Sequence, residues 1–307
     1  MKAGGTIAAW LAGRPPAVQA GVLMSVSALG YAASAVIVRW LADDGMPVFQ
    51  IAFLRNVFGI MFMVPWLMKA GTGALKTAHP GKHAVRGLLS AINVWCLYGA
   101  LAIAPIADVA AITFMMPIVG SLFAVLVYRE VASGRHWSAV LVGFIGALIV
   151  IRPGFGHVNP GLLLAVGAVL AGSTVAMMIK GLMRYDSPDT VACYLFISHT
   201  LIGLIPAAIV WVMPDLTQLA LCAALGWLGT VIQRTFNRGM AAADATVALP
   251  FNFSRLIWAA LFGWMFFSEV PDLWTWIGGT VIFCSSVYIA SHGGRGKPGD
   301  AGGKKPE

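Results

Sequence analysis

Polar positions are sparse along this chain, and between them run ten apolar segments: 18–39, 48–68, 86–104, 107–128, 136–151, 160–180, 190–213, 217–238, 245–267 and 274–291. Most are close to the roughly 20 residues that a helix needs to cross the hydrocarbon core of a bilayer. In lipid a backbone must satisfy its own hydrogen bonds, so the pattern predicts helices and not strands. Segments three and four are joined only by Ala104-Pro105-Ile106-Ala107-Asp108, which reads as a tight hairpin with Asp108 as N-cap of the fourth helix. Segment 136–151 is the shortest and leans on Arg135 and Arg152, whose side chains can reach the interface from its ends. The last residues, 292–307, are Gly, Pro, Lys and little else, and are expected to be a disordered tail.

The segments repeat. Glu130 and Trp137 recur 139 residues later as Glu269 and Trp276, and the same register aligns Phe114 with Phe253, Ile118 with Ile257, Leu122 with Leu261, Phe123 with Phe262 and Val131 with Val270. Apolar identities count for little in a chain that is 59% hydrophobic, whereas only 10% of residues are charged and 11 are Trp. At an offset of 141, Arg39 meets Lys180 and Pro47 meets Pro188. Five helices per unit is an odd number, so the second unit starts on the opposite side of the membrane and is inverted relative to the first. The expected fold is an all-α integral membrane protein of ten transmembrane helices in two inverted five-helix repeats, a common plan for transporters. The expected boundaries are 1–17 for an N-terminal segment, 18–152 and 160–291 for the repeats, and 292–307 for the tail.

Charge sets an expected orientation. With the N-terminus inside, 15 of the 20 Lys and Arg fall in cytoplasmic segments and only Arg39 and Arg152 fall outside. Arg55, Arg234 and Arg255 remain within spans. Both termini are therefore expected in the cytoplasm, in a multi-pass protein of a bacterial inner membrane. The net charge of +8 does not suggest nucleic acid as a partner, because the basic residues lie between apolar runs and not on an aromatic-interleaved polar face. Cys96, Cys193, Cys222 and Cys284 each sit in an apolar run without CxxC spacing, and read as packing residues, not metal ligands or disulfides. The first span follows an N-terminus lacking an A-x-A-like cleavage site and is expected to be retained as an anchor.

The stretches FQIAFLRNVFGIMFMVPWLM, VRGLLSAINVWCLYGALAIAPIADVAAITFMMPIVGSLFAVLVYRE and VGFIGALIVIRPG, with AAADATVALPFNFSRLIWAALFGWMFFSEVPDLWTWIGG in the second repeat, carry a resemblance to the drug/metabolite transporter superfamily, EamA type. It covers Val18 to Ser291 and is most similar to the S-adenosylmethionine uptake group. It implies a secondary transporter with a central cavity that moves a small polar or amphoteric metabolite by alternating access, without a cofactor. Uptake or exchange of an S-adenosylmethionine-like compound and export of amino acids or related metabolites both stay open. One departure is that Pro117 in the fourth helix aligns with Leu256, while the ninth segment carries its proline six residues earlier, at Pro250.

Candidate site residues are the polar and aromatic groups at depth. A mid-membrane arginine is costly and marks a functional site by default, which singles out Arg255, Arg55 and, near a helix end where it can snorkel, Arg234. Arg255 is expected to bind Asn252 and backbone, or an anionic group of the cargo. Asn93 and Gln233 offer amide donors and acceptors, with Asn237 beside them. Trp95, Tyr98 and Phe114 can stack on a ring or face a cation. His199 is the one histidine well inside a span and a candidate proton relay. Glu130 and Glu269, at helix ends, are expected to favour the N-terminus of the helix that follows each of them, in structural or gating roles shared with Pro117 and Pro250. An intramembrane enzyme would need a nucleophile–base or carboxylate pair at one depth, which the sequence does not offer. A non-transporting scaffold would need a signalling domain that the tails lack. A homodimer is an open arrangement.

Overall fold

The computed structural model describes residues 13–116, 118–120, 122–123, 134–152, 159–182, 185–242, 251 and 254–292. Pro117, Glu130, Pro250 and Asn252 lie outside the described residues, as do the N-terminal segment 1–12 and the tail from 293. Among the described residues regular structure is entirely helical: α1 (Pro16–Asp43), α2 (Val48–Ala70), α3 (Pro80–Ile103), α4 (Ile106–Thr113), α5 (Gly134–Ile151), α6 (Pro160–Leu182), α7 (Pro188–Ile209), α8 (Leu216–Ala242), α9 (Ser254–Phe267) and α10 (Leu273–His292). A 3-10 turn, Thr72–Leu75, links α2 to α3. Six helices (α1, α2, α3, α6, α7 and α8) are long and apolar enough to cross a membrane, and four shorter apolar ones complete the set of ten.

Local chemistry places the helix ends. Pro80 sits at the start of α3, where its missing N–H costs nothing. Gly71, at φ 76°, ends α2 in a conformation that L side chains avoid. Ser187 caps α7, its Oγ accepting from the Thr190 amide at 3.1 Å. The structure starts α3 six residues before the predicted span, because Gly81, Lys82 and His83 are helical although none of them is apolar. Asp108 is not the N-cap of α4. Pro105 holds that position, Asp108 lies in the first turn, and its carboxylate accepts from Thr275 Oγ1 on α10. After Thr113 the helix of α4 is interrupted by a turn at Phe114–Met115.

The most extensive helix pairs are α3 with α6, α1 with α8, and α5 with α10, followed by α2 with α8 and α2 with α7. The repeats are thus interleaved, since each of these pairs joins one repeat to the other. The first two pairs are images of each other under exchange of the repeats, and the third maps onto itself. Both imaged pairs run antiparallel: Asn93 lies against Gly172 and Gly99 against Leu164 on one side, Gly30 against Ile232 and Gly239 against Met24 on the other. The buried face of α1 is built from small residues, among them Ala20, Gly21, Ser27, Ala28, Gly30 and Ala32, which lets backbones approach where lipid gives no hydrophobic drive.

Glycine contacts locate the tightest crossings. A Cβ at Gly226 on α8 would stand 2.9 Å from the Arg55 carbonyl oxygen and from the Gly59 nitrogen of α2, and one at Gly229 would stand 2.8 Å from Arg55 Nη2. On α5 and α10, a Cβ at Gly278 would stand 2.7 Å from the Gly146 carbonyl. Gly120, in contrast, has nothing within 4 Å among the described residues, and the atoms nearest a Cβ at Gly263 belong to Glu269, the first at 3.3 Å. Gly226→Leu is therefore expected to force α2 and α8 apart at a cost of about 1–3 kcal/mol, and Gly120→Leu to be tolerated. Thermal stability of the two purified variants checks this contrast, and equal stability would refute the close crossing.

Candidate functional site

Four helices bring aromatic and cationic side chains to the middle of the bundle. The Arg255 guanidinium, from the first described turn of α9, lies over the Tyr31 ring of α1 at 4.6 Å from its centroid, a cation–π contact that strengthens as water is excluded. Tyr98 of α3 is buried and lies within electrostatic reach of Arg55, Cys222 and Tyr31. Arg55 of α2 rests over Gly229 of α8, where only a missing side chain leaves room. No carboxylate comes within 4 Å of Arg55 or Arg255 among the described residues. The arrangement combines positive charge with aromatic surface, and is suited to an anionic or zwitterionic group attached to a ring.

The other sequence candidates are distributed around this centre. Asn93 donates its amide to the Ala168 carbonyl at 2.5 Å, so on α3 it faces α6. Trp95 packs edge-on against Phe49 at 5.2 Å and faces α2 and α7. Successive helix residues turn by 100°, so Asn93, Trp95 and Tyr98 point to different neighbours. Phe114 is buried, its ring 6.2 Å from Phe283 and its carbonyl accepting from Ser286. Gln233 is half-buried on α8. Arg234 does not snorkel unpaired; its Nε lies 3.4 Å from Asp189 Oδ1 on α7. His199 is buried on α7 with both ring nitrogens unpartnered.

One end of the bundle is closed by acid–base pairs. Ser268, at φ 55°, turns the chain back after α9, and Glu269 then reaches across to the first repeat. Its Oε2 accepts from the Ile106 amide at 3.0 Å, and its Oε1 lies 3.6 Å from Arg39 Nη1. Arg39 in turn donates to the Ala104 and Leu101 carbonyls at 2.9 and 3.2 Å. Glu269 therefore caps α4, not α10. The first turn of α10 is capped instead by Asp272, whose Oδ1 accepts from the Thr275 amide at 2.9 Å. Asp272 also pairs with Arg152. Burial pushes its carboxyl up, but the Thr275 amide and Arg152 outweigh that and hold it below the usual carboxylate range. Beneath these groups lies a cavity of about 220 Å3 lined by Asp108, Glu269, Asp272, Thr275 and Gly263.

At the opposite end His83 of α3 meets Asp186, between α6 and α7, at 2.9 Å. The same carboxylate oxygen accepts from Thr77 at 2.8 Å, and the His83 ring stacks on Tyr194 at 4.3 Å. Burial raises the Asp186 carboxyl, yet the hydrogen bonds from His83 and Thr77 bring it below its ordinary value. One turn further, Arg86 is fully buried and donates to the Val191 carbonyl at 3.0 Å. Neither His83 nor Arg86 stands out in the sequence, since His83 falls where the hydropathy pattern marks a loop and Arg86 stands at the edge of the span 86–104. Their spacing with Ser90 (i, i+3, i+7) was the available signal.

Ten interleaved helices, an inverted repeat and a cationic, aromatic centre define a membrane transporter of a small metabolite. Residues 19–152 and 159–291 match the EamA-like transporter family, and the chain belongs to that family. It is 29% identical over 275 residues to a riboflavin transporter of Rhizobium johnstonii, covering 89% of this chain and 91% of that protein. It is 28% identical over 241 residues to an S-adenosylmethionine uptake transporter of Rickettsia bellii, covering 78% and 83%. A solved crystal structure superposes with a TM-score of 0.59 at 19% identity over 90% of this chain and 95% of the other, a likeness of fold. The family and these relatives are transporters, not enzymes.

Proposed function

We propose that the protein is a secondary transporter of the inner membrane that takes up an amphoteric, ring-bearing metabolite by alternating access. The observation that carries this reading is the meeting of Arg255, Tyr31, Arg55 and Tyr98 from four helices of both repeats. Arg255 and Arg55 hold the acidic end of the cargo, while Tyr31 and Tyr98 supply ring surface. S-adenosylmethionine offers a carboxylate, a cationic centre and a heterocycle, and riboflavin offers a large ring; the names of the relatives make these the first compounds to try. Packing suggests the moving bodies: α1, α2, α8 and α9 form one group, and α3, α4, α6 and α7 its image. The Glu269–Arg39 cluster ties these groups together at one end, and the Arg234–Asp189 pair ties them at the other. Uptake of labelled S-adenosylmethionine, riboflavin and amino acids into proteoliposomes tests the reading. Accumulation of none of them above empty vesicles would defeat it.

The orientation follows from the basic residues and is tested separately. Thr77 is occupied by Asp186, so Ala78, an exposed neighbour, is the better reporter. In intact spheroplasts a lone cysteine at Ala78 is expected to be shielded from an impermeant thiol reagent, and one at Thr217 to react. Labelling at 78 from outside would invert the orientation.

A further inference from the structure

Buried polar atoms without partners are rare, because each has lost water and gained nothing. Among the described residues several line one seam between α2, α3 and α7. On α3, His83, Arg86 and Ser90 share a face. Arg86 is 1% exposed and spends Nη1 on the Val191 carbonyl, which leaves its Nε and Nη2 unpartnered. Ser90 Oγ, Thr200 Oγ1, Asn56 Oδ1 and both ring nitrogens of His199 are unpartnered too. Helices α3 and α7 touch here, since a Cβ at Gly87 would stand 2.4 Å from that of Ser198. Further along, Ala52, Asn56, Ala91, Val94, Trp95 and His199 enclose no room for a water molecule. The seam is therefore polar and unsatisfied among the described residues, and it leaves no room for water beside His199.

The charges facing it are unbalanced. Arg86 from α3 and Arg55 from α2 both act on His199. The acid touching the stripe is Asp186, which is taken by His83 and Thr77 at its end. No carboxylate lies within 4 Å of the Arg86 guanidinium among the described residues. The two free nitrogens, Nε and Nη2, form the side edge of the guanidinium, whose parallel N–H bonds match the two oxygens of a carboxylate.

We propose that Arg86, with Ser90 and His199 beside it, is a second, carboxylate-binding station between the central site and the His83–Asp186 end. It rests on the transport reading: when α2 separates from α3 and α7 the seam takes up water, and the guanidinium edge receives the carboxylate of the passing solute. A buried cation without a counter-charge then has one in the open state only, so the solute itself stabilises opening.

The test needs neither cargo nor gradient, so its result stands apart from that of the uptake assay. In detergent-purified protein with Cys96, Cys193, Cys222 and Cys284 replaced by Ala, a cysteine is placed at Ser90 and, as reference, at Ala78. Each is labelled with anionic sulfonatoethyl and cationic trimethylammonium-ethyl methanethiosulfonate. The anionic-to-cationic rate ratio at 90 is expected to exceed that at 78 by about tenfold or more, the scale on which a focused charge concentrates counter-ions. Arg86→Gln should bring the ratio down to that at 78. Arg86→Lys should keep the ratio but lose protection by acetate, because an ammonium lacks the fork. Acetate should slow labelling of the Arg86 protein at concentrations where chloride does not. Position 90 inert to both reagents, equal ratios at 90 and 78, or protection by chloride equal to that by acetate would each overturn the proposal.

Discussion

Glu269→Gln is expected to unlock the end of the bundle that Arg39 and Arg152 occupy. The substitution keeps the shape and one carbonyl acceptor, but removes the charge that faces both the Ile106 amide and Arg39. A capping carboxylate at a helix N-terminus contributes about 0.5–2 kcal/mol, and a partly exposed ion pair adds about 0–1 kcal/mol. Together they shift the open-to-closed ratio by roughly tenfold, since about 1.4 kcal/mol is a factor of ten. The readout is a cysteine at Ala107, which is buried at 4% exposure and lines the cavity below Glu269. Its labelling by an impermeant reagent should speed up by about that factor in the Gln variant, while uptake slows because closure at this end is weakened. Unchanged labelling would mean that the cluster is an ornament of one resting state and holds nothing shut.

Arg255→Lys should separate cargo by its acidic group. The lysine keeps the charge but loses the planar face that lies over Tyr31 and the fork that grips a carboxylate. Binding of carboxylate-bearing compounds is expected to weaken by roughly 1.5–3 kcal/mol, the scale of a charged hydrogen bond. Esters or amides of the same compounds should bind the parent protein weakly and be almost indifferent to the change. Tyr31→Phe retains the ring and should leave affinity close to the parent value, whereas Tyr31→Leu should lose about 0.5–2 kcal/mol. Binding to the purified variants checks the series. If acid and ester suffer equally, Arg255 serves packing with α1, and the charge recognition passes to Arg55.

The helical, duplicated character of the chain was legible because it is written in periodicity and register. Glu130 with Glu269 and Trp137 with Trp276 needed only a fixed offset. What those residues touch was not legible. Glu269 was expected to serve the helix that follows it, since a capping rule is local; in the structure its carboxylate meets an amide 163 residues earlier. Asp108 failed as a cap for a related reason, as Pro105 set the helix start and a carboxylate from the other repeat supplied the bond. Arg255 was legible as a mid-membrane cation, but its contact with Tyr31 joins α9 to α1 and has no signature along the chain. Arg86 was hidden at the edge of its span, because a polar helix start buried against α7 looks in sequence like the end of a loop. Tight crossings depend on which helix lies opposite, which no glycine reveals along the chain; Gly226 and Gly229 hold that place.

The interleaving of the two repeats also sets a timetable for biosynthesis. Helix α1 packs most extensively on α8, and the roughly 170 residues between Asp43 and Leu216 take on the order of 10–30 s to translate at about 5–20 residues per second. Throughout that interval the small-residue face of α1, with Ser27 and Ser34, is without α8, its principal neighbour. Helix α3 waits less long for α6. The first five helices thus meet one another through their lesser contacts, such as Arg39 on the end of α3, before their main partners arrive, and the order in which the ribosome delivers those partners decides when they become a protein.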